Sequence, residues 1–427
     1  MAVILALFGS GITELCAEKT SVPESKILFL QEYLRSLGHD YSAKEVKEMK
    51  AMHFLYLDAS PTGLGQFRAL PEIESVVLSG DPFYNSHLRA LSGFPSLKQL
   101  VLSGDCSQPP LMNDDGLKYV SSMKQLESLN LICTEISDQG LPHLANLKNL
   151  QFLGLSQTNE LKGTGFLSLS ELPNLKKLKL GDVKLEEVSL PELAQHLEVQ
   201  TLMLHNVSFA RCKAETRSNS ELKHLFITGL NRKDWHPDCL KGFQALQSLW
   251  LPSVLEDQDL QFLSGMQKLE ELRLPDSHIQ GQGLIHLEGN RSLVKVVADC
   301  SALNDSGMKH LSRLPLLQEL HLYSTKVSDV GLAYFRGHSE IRSMVLPDNG
   351  KLDTSGMRIL ATLPALRVMV ISDRDLRKNR IELARLKQLQ ELRVHGGLNR
   401  ESKERARAML PGVKIIDYGS PPSRCDG

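Results

Sequence analysis

The chain repeats itself about every 24 residues, and each period carries apolar side chains in the spacing L-x-x-L-x-L. One copy runs from Leu126, Leu129 and Leu131 through Asp138, Gly140 and Leu141 to Leu147, and the next begins at Leu150, Leu153 and Leu155. The leucine segment alternates faces as a strand does, sending its leucines to one side. The rest of the period reads as a helical return, because residues 137–147 combine a capping Ser or Asp with apolar residues at helical spacing. A unit this small cannot bury its apolar face alone, so successive units must stack on a shared core. The expected architecture is an α/β solenoid, a right-handed arc with a parallel sheet on the concave face and helices on the convex face.

Taking the third apolar position of each strand as a ruler places about sixteen strands, at Leu57, Leu78, Leu102, Leu131, Leu155, Leu180, Leu204, Ile227, Leu251, Leu274, Ala298, Leu322, Leu346, Ile371, Val394 and Tyr418. Two steps depart from the mean: Leu57 to Leu78 is 21 residues, and Leu102 to Leu131 is 29, with Gln108-Pro109-Pro110 in the longer one. At ~4.8 Å per strand the inner face spans roughly 70 Å. A glycine recurs just before the first helical apolar residue, at Gly116, Gly140, Gly165, Gly283, Gly307, Gly331 and Gly356. A site without Cβ suits a turn held tight against the neighbouring unit. Such regularity leaves no room inside the array for a second folded domain.

The ends differ from the middle. Residues 1–20 read as a signal segment or a disordered N-terminus, with cleavage after Ala17 as the export reading, and both export and a cytoplasmic location stay open. Residues 21–52 read as a helical cap, with helices over 24–38 and 43–52, residues 53–418 as the solenoid, and 419–427 as a disordered tail. No stretch reaches the ~20 apolar residues of a membrane span. The seven cysteines are scattered, without close pairs flanking the array, and read as buried or half-buried free thiols. Cys133 and Cys300 each fall two residues past the ruler, so a repeat position accounts for them.

The unit S-D-x-G-L, seen at residues 328–332, resembles the ribonuclease-inhibitor-like, or cysteine-containing, class of leucine-rich repeats. The position usually filled by Asn or Cys is here Thr134, Thr158, Ser277, Ser301 and Thr325. Together with the closing strand at residues 410–415, this is similar to bacterial repeat families of the planctomycete type. The resemblance covers roughly residues 50–418. It implies the fold and a binding role, and it does not specify a ligand.

Residues three and one before the ruler, and one after it, point away from the core on the inner face. The candidate partner-binding residues are therefore His205, His224, Phe226, Trp250, Arg273, Lys295, Asp299, His321 and Tyr323. Aromatic and Arg side chains dominate protein-binding hot spots, because they bury large area at low entropic cost. Lys177 and Lys179 add a small basic pair on the same face, and residues 374–407 carry 11 Lys or Arg against 5 Asp or Glu. With 49 basic and 50 acidic side chains overall, the molecule as a whole does not favour nucleic acid.

No catalytic signature of the G-x-S-x-G, P-loop or H-E-x-x-H type is present. His236 and Cys239 lack the second pair that a zinc site needs. The function expected is a non-catalytic protein-interaction module, monomeric and without cofactor or metal. The alternative is an exported protein that recognises a glycan or cell-surface component.

Overall fold

Each period contributes one strand, and the strands stack in chain order, every neighbouring pair parallel, into a single sheet of sixteen among the described residues. The structure is a computed structural model and describes residues 22–36, 41–55, 60–80, 84–107, 112–158, 160–212, 221–398 and 400–419. The first five strands are β1 (Ala51–Leu55), β2 (Ser75–Ser79), β3 (Gln99–Ser103), β4 (Ser128–Ile132) and β5 (Phe152–Ser156). Longer strands follow at β6 (Lys177–Leu185) and β7 (Thr201–Phe209), then β8 (His224–Thr228). Shorter ones come next, at β9 (Ser248–Trp250), β10 (Glu271–Arg273), β11 (Lys295–Val297), β12 (Glu319–His321) and β13 (Ser343–Val345). The sheet closes with β14 (Val368–Ser372), β15 (Glu391–His395) and β16 (Lys414–Gly419).

The leucines bury as the spacing requires. Leu126, Leu129, Leu131, Ile136, Leu141, Leu144 and Leu147 of one repeat are all fully buried, and Leu150, Leu153 and Leu155 continue the stack in the next. Each contributes about 1.5–3 kcal/mol by leaving water. Three of the buried hydroxyls at the Asn/Cys position tie the turn after the strand: Ser277 donates to the Leu274 carbonyl, Ser301 to Ala298 and Thr325 to Leu322. One residue earlier, the backbone is left-handed at Cys133, Gln157, Asp182, Asn206, Asp276, Cys300 and Ser324. This conformation is uncommon for residues other than glycine, and it recurs at the same position of these seven repeats.

The convex face is a mixture of short α and 3-10 turns. Asn113, Asn304, Ser328 and Asp353 each accept a backbone N–H of the first turn, and the helices they cap are α-helical. The turns at Thr164–Glu171 and Gln282–Leu287 are 3-10, and the residues before them, Gly163 and Gly281, offer no capping side chain.

The recurrent glycine has a specific cause. An aspartate at the start of one return segment reaches across to the next unit: Asp305 accepts the Ser328 and Gly331 N–H groups at 2.7 and 3.0 Å and the Ser328 hydroxyl at 2.6 Å. Asp138 holds Gly163 and Gly165 in the same way, and Asp257 holds Gly281 and Gly283. A Cβ on Gly331 would sit 2.5 Å from Asp305 Oδ1, and one on Gly165 the same distance from the Asp138 carbonyl oxygen. The need is therefore for close approach rather than for unusual backbone.

Several expectations are corrected. Leu57 lies outside the described residues, and the ladder pairs Phe54 with Leu78, so the first step is 24 residues rather than 21. Met49 and the buried Met52 take leucine places there, which disguises the phase. For the same reason the second cap helix stops at Lys47: α1 spans Glu24–Ser36, α2 spans Ala43–Lys47, and β1 follows. At the other end Val394 pairs with Asp417, a bulge follows, and His395 pairs with Gly419. Tyr418, read as a core position, is instead 41% exposed beneath the Arg393 guanidinium.

The free-thiol reading is also overturned. Cys106 is bonded to Cys133 and Cys212 to Cys239, with Cα atoms 5.2 and 5.5 Å apart, and Cys300 is disulfide-bonded too. The partners are 27 residues apart, just over one repeat, so stacking brings them together although no close pair marks them in the chain. Residues 1–20, Gln108-Pro109-Pro110 and 420–427 lie outside the described residues.

Gly331→Ala is expected to destabilise the array by about 1–3 kcal/mol, through the crowded Asp305 bridge. Gly65→Ala, where a Cβ meets nothing within 4 Å, should leave the thermal melt unchanged or raised. Circular dichroism melts of the two variants provide the comparison, and equal melts would remove the close-approach explanation.

Candidate functional site

The register of the central strands decides which inner-face side chains meet. Phe226 pairs with Trp250, and Trp250 with Arg273, so the three form a row across β8, β9 and β10. The two rings meet edge to face, with centroids 6.2 Å apart, and the Arg273 guanidinium lies over the indole at 5.2 Å. Such aromatic pairs and cation–π contacts are each worth about 0.5–1.5 kcal/mol. The Trp250 indole N–H is buried without a hydrogen-bond partner. His224 stands half-buried beside this row, and His205 is exposed, its Nδ1 3.0 Å from the Thr228 hydroxyl.

Strands β10 to β12 carry an ion ladder. Arg273 holds Glu271 Oε1 through both Nε and Nη2 at 2.7 Å. Lys295 stands between two carboxylates, 3.8 Å from Glu271 and 3.1 Å from Glu319. The Ser248 hydroxyl donates to the other Glu271 oxygen at 3.3 Å. Arg273 and Lys295 are thus neutralised within the sheet, and a partner's carboxylate would have to compete for them. Glu271 and Glu319 were the residues missed as site members. Their signal is legible in hindsight, since Glu271, Lys295 and Glu319 alternate in sign at the repeat spacing.

Beyond the ladder the candidates recede. Asp299 is buried, 4% exposed, and accepts the Tyr323 backbone N–H at 2.8 Å, so it supports a turn rather than presenting a contact. His321 lies 3.9 Å from Asp299 Oδ2. Burial first, and then the charge of Lys295, pushes its pKa down to about 4. The imidazole is therefore neutral at pH 7. Tyr323 turns its ring edge-on to the buried His395, with centroids 5.1 Å apart. Burial lowers the His395 pKa as well, against the pull of Asp348 and Asp375.

Six of the eleven cations in the basic segment at 374–407 are paired with nearby carboxylates among the described residues. Arg374 pairs with Asp348, Arg377 with Asp373, Arg385 with Glu382, Arg393 with Glu391, Arg400 with Glu404 and Arg405 with Glu401. Cys239 spends its sulfur on Cys212, which removes it as a partner for His236 in a metal site. Among the described residues no helix is long and apolar enough to cross a membrane.

The depressed His321 pKa sets a pH dependence. Its folded value lies below its ordinary 6.5, so the unfolded chain takes up the proton first and stability is lost as pH falls from about 6.5 to about 4. The group's share is on the order of 3 kcal/mol. His321→Gln should lose this component, so the stability gap between the two proteins, measured by urea unfolding, should shift in the variant's favour between pH 7 and pH 4.5. A gap that is independent of pH would refute the buried neutral imidazole.

No protein-family model and no curated protein matches the chain. Solved structures do. A leucine-rich-repeat protein of Leptospira interrogans is similar at 19% identity and a TM-score of 0.51, over 88% of this chain and 98% of that one. A TLR13–ssRNA13 complex is similar at 19% identity and a TM-score of 0.54, over 82% of this chain and 59% of that one. An internalin of Listeria monocytogenes aligns at 17% identity and a TM-score of 0.48, over 87% of this chain and 95% of that one. At such identities the likeness speaks for the architecture alone. The chain is an α/β leucine-rich-repeat solenoid.

Proposed function

We propose that the chain is a non-catalytic interaction module that holds another protein against the concave face of its sheet. The observation that carries this reading is the row Phe226, Trp250 and Arg273, two rings and a guanidinium packed on one another across three strands of a rigid face. Rings held by neighbours lose little freedom when a partner covers them, which is what makes an anchor efficient. The helices at residues 24–36 and 43–47 serve in this reading as the cap of the array, and the solenoid acts as a monomer. The likeness to ribonuclease-inhibitor-like repeats of planctomycete-type families rests on the S-D-x-G-L unit.

A protein fits better than a nucleic acid. The TLR13 structure is of a complex with ssRNA. Here the inner-face cations at Arg273 and Lys295 are matched by Glu271 and Glu319, whereas a polyanion is held by a run of unmatched ones.

The test is Phe226→Ala combined with Trp250→Ala. Arg273 is left in place, because its loss would release Glu271 as an unmatched acid. A captured partner is expected to lose at least about 2 kcal/mol of affinity, roughly thirtyfold, with the melt shifted by no more than a few degrees. Undiminished capture by the folded variant would remove this row from the interface.

One observation favours the exported, glycan-binding alternative: the disulfides Cys106–Cys133 and Cys212–Cys239 belong to an oxidising compartment. In that reading Phe226, Trp250 and His205 form a platform on which a sugar ring stacks. Peptide mapping of the unreduced protein from its native source should recover both cross-linked pairs. Alkylation of all four cysteines without reduction would withdraw the argument.

A further inference from the structure

We infer that the protein partner is acidic, and that it places one or two carboxylates on Lys177 and Lys179 while an aromatic or large apolar side chain meets Phe226 and Trp250. This rests on the concave-face reading above and adds the chemistry of the occupant. Charge is distributed unevenly along the inner face. In the C-terminal half of the inner face, Arg273 and Lys295 are held by Glu271 and Glu319. Lys177 and Lys179, on adjacent inner-facing positions of β6, have no ion pair or side-chain hydrogen bond among the described residues.

Among the described residues, the strand positions beside them on that face carry no counter-charge. From β2 to β9 the inner-facing positions contain no Asp or Glu. Asp182, on the rim of the same strand, accepts the Asn206 amide at 2.8 Å. The first inner-face carboxylate is Glu271, four strands away, or about 19 Å at the strand spacing. That is more than twice the ~8 Å over which salt screens charges at physiological strength. The two ammonium groups therefore create a local positive field that the fold does not cancel, and an acidic segment is drawn to it while a basic one is repelled.

Geometry then fixes the spacing of the partner's groups. Phe226 lies two strands from β6 and Trp250 three, about 10 and 14 Å along the array. An extended segment laid across the strands advances ~3.3 Å per residue. The acidic group and the aromatic or apolar anchor should thus be three or four residues apart.

The experiment selects a displayed random peptide library, about 12 residues long so as to span the patch, against the full chain. The recovered peptides are then titrated by fluorescence anisotropy at low and high salt. The expected result is enrichment of Asp or Glu three or four residues from an aromatic or large apolar residue. Affinity should fall at least about tenfold in Lys177→Glu with Lys179→Glu, and also in Phe226→Ala with Trp250→Ala, and it should weaken as salt rises. Peptides without excess acid, or indifferent to the charge reversal, would overturn the acidic-partner inference. If those peptides still required Phe226 and Trp250, the concave-face reading would survive. Failure to enrich any peptide over the two variants would overturn both. An oligo-uridylate that binds more tightly than the selected peptides would overturn the assignment to a protein.

Discussion

Everything in this molecule depends on one condition: a repeat has no core of its own until the next repeat covers it. The stacked leucines at 126, 129, 131, 150, 153 and 155 are fully buried only because each layer closes the one before. Parallel pairing follows, because each chain segment must return to start its next strand beside the last one. The 29-residue step shows how strictly the condition holds. Leu102 still pairs with Leu131, in register with the strands on either side.

The return segments obey a second constraint, set across repeats rather than within them. An aspartate at a helix start reaches forward to the backbone of the following unit, as Asp138, Asp257 and Asp305 do. A glycine must stand where it lands. The recurrent aspartate and glycine are thus a contact between neighbours written as a local sequence. The disulfides act similarly, since each bridges cysteines little more than one period apart.

A stack that rigid turns inner-face side chains into fixed rows, and the rows differ in what they have left to offer. Glu271, Arg273, Lys295 and Glu319 spend their charges on one another. Phe226 and Trp250 pack together yet keep part of their surface open. Lys177 and Lys179 have no ion pair among the described residues. The inner face thus has its charges matched toward one end and unmatched toward the other.

The sequence by itself determined the period, the strand positions and the face each residue occupies, because alternation and repeat length are local properties. That is how Phe226, Trp250 and Arg273 were legible as neighbours although they lie about one repeat apart. Phase was lost where methionines stood for leucines at Met49 and Met52, and where a bulge displaced Tyr418 from the core. Only the tertiary structure decided which charges are spent and which remain, that Asp299 is buried, and which cysteines are joined. These outcomes turn on side-chain reach between repeats, a distance set by the stack and absent from any single period.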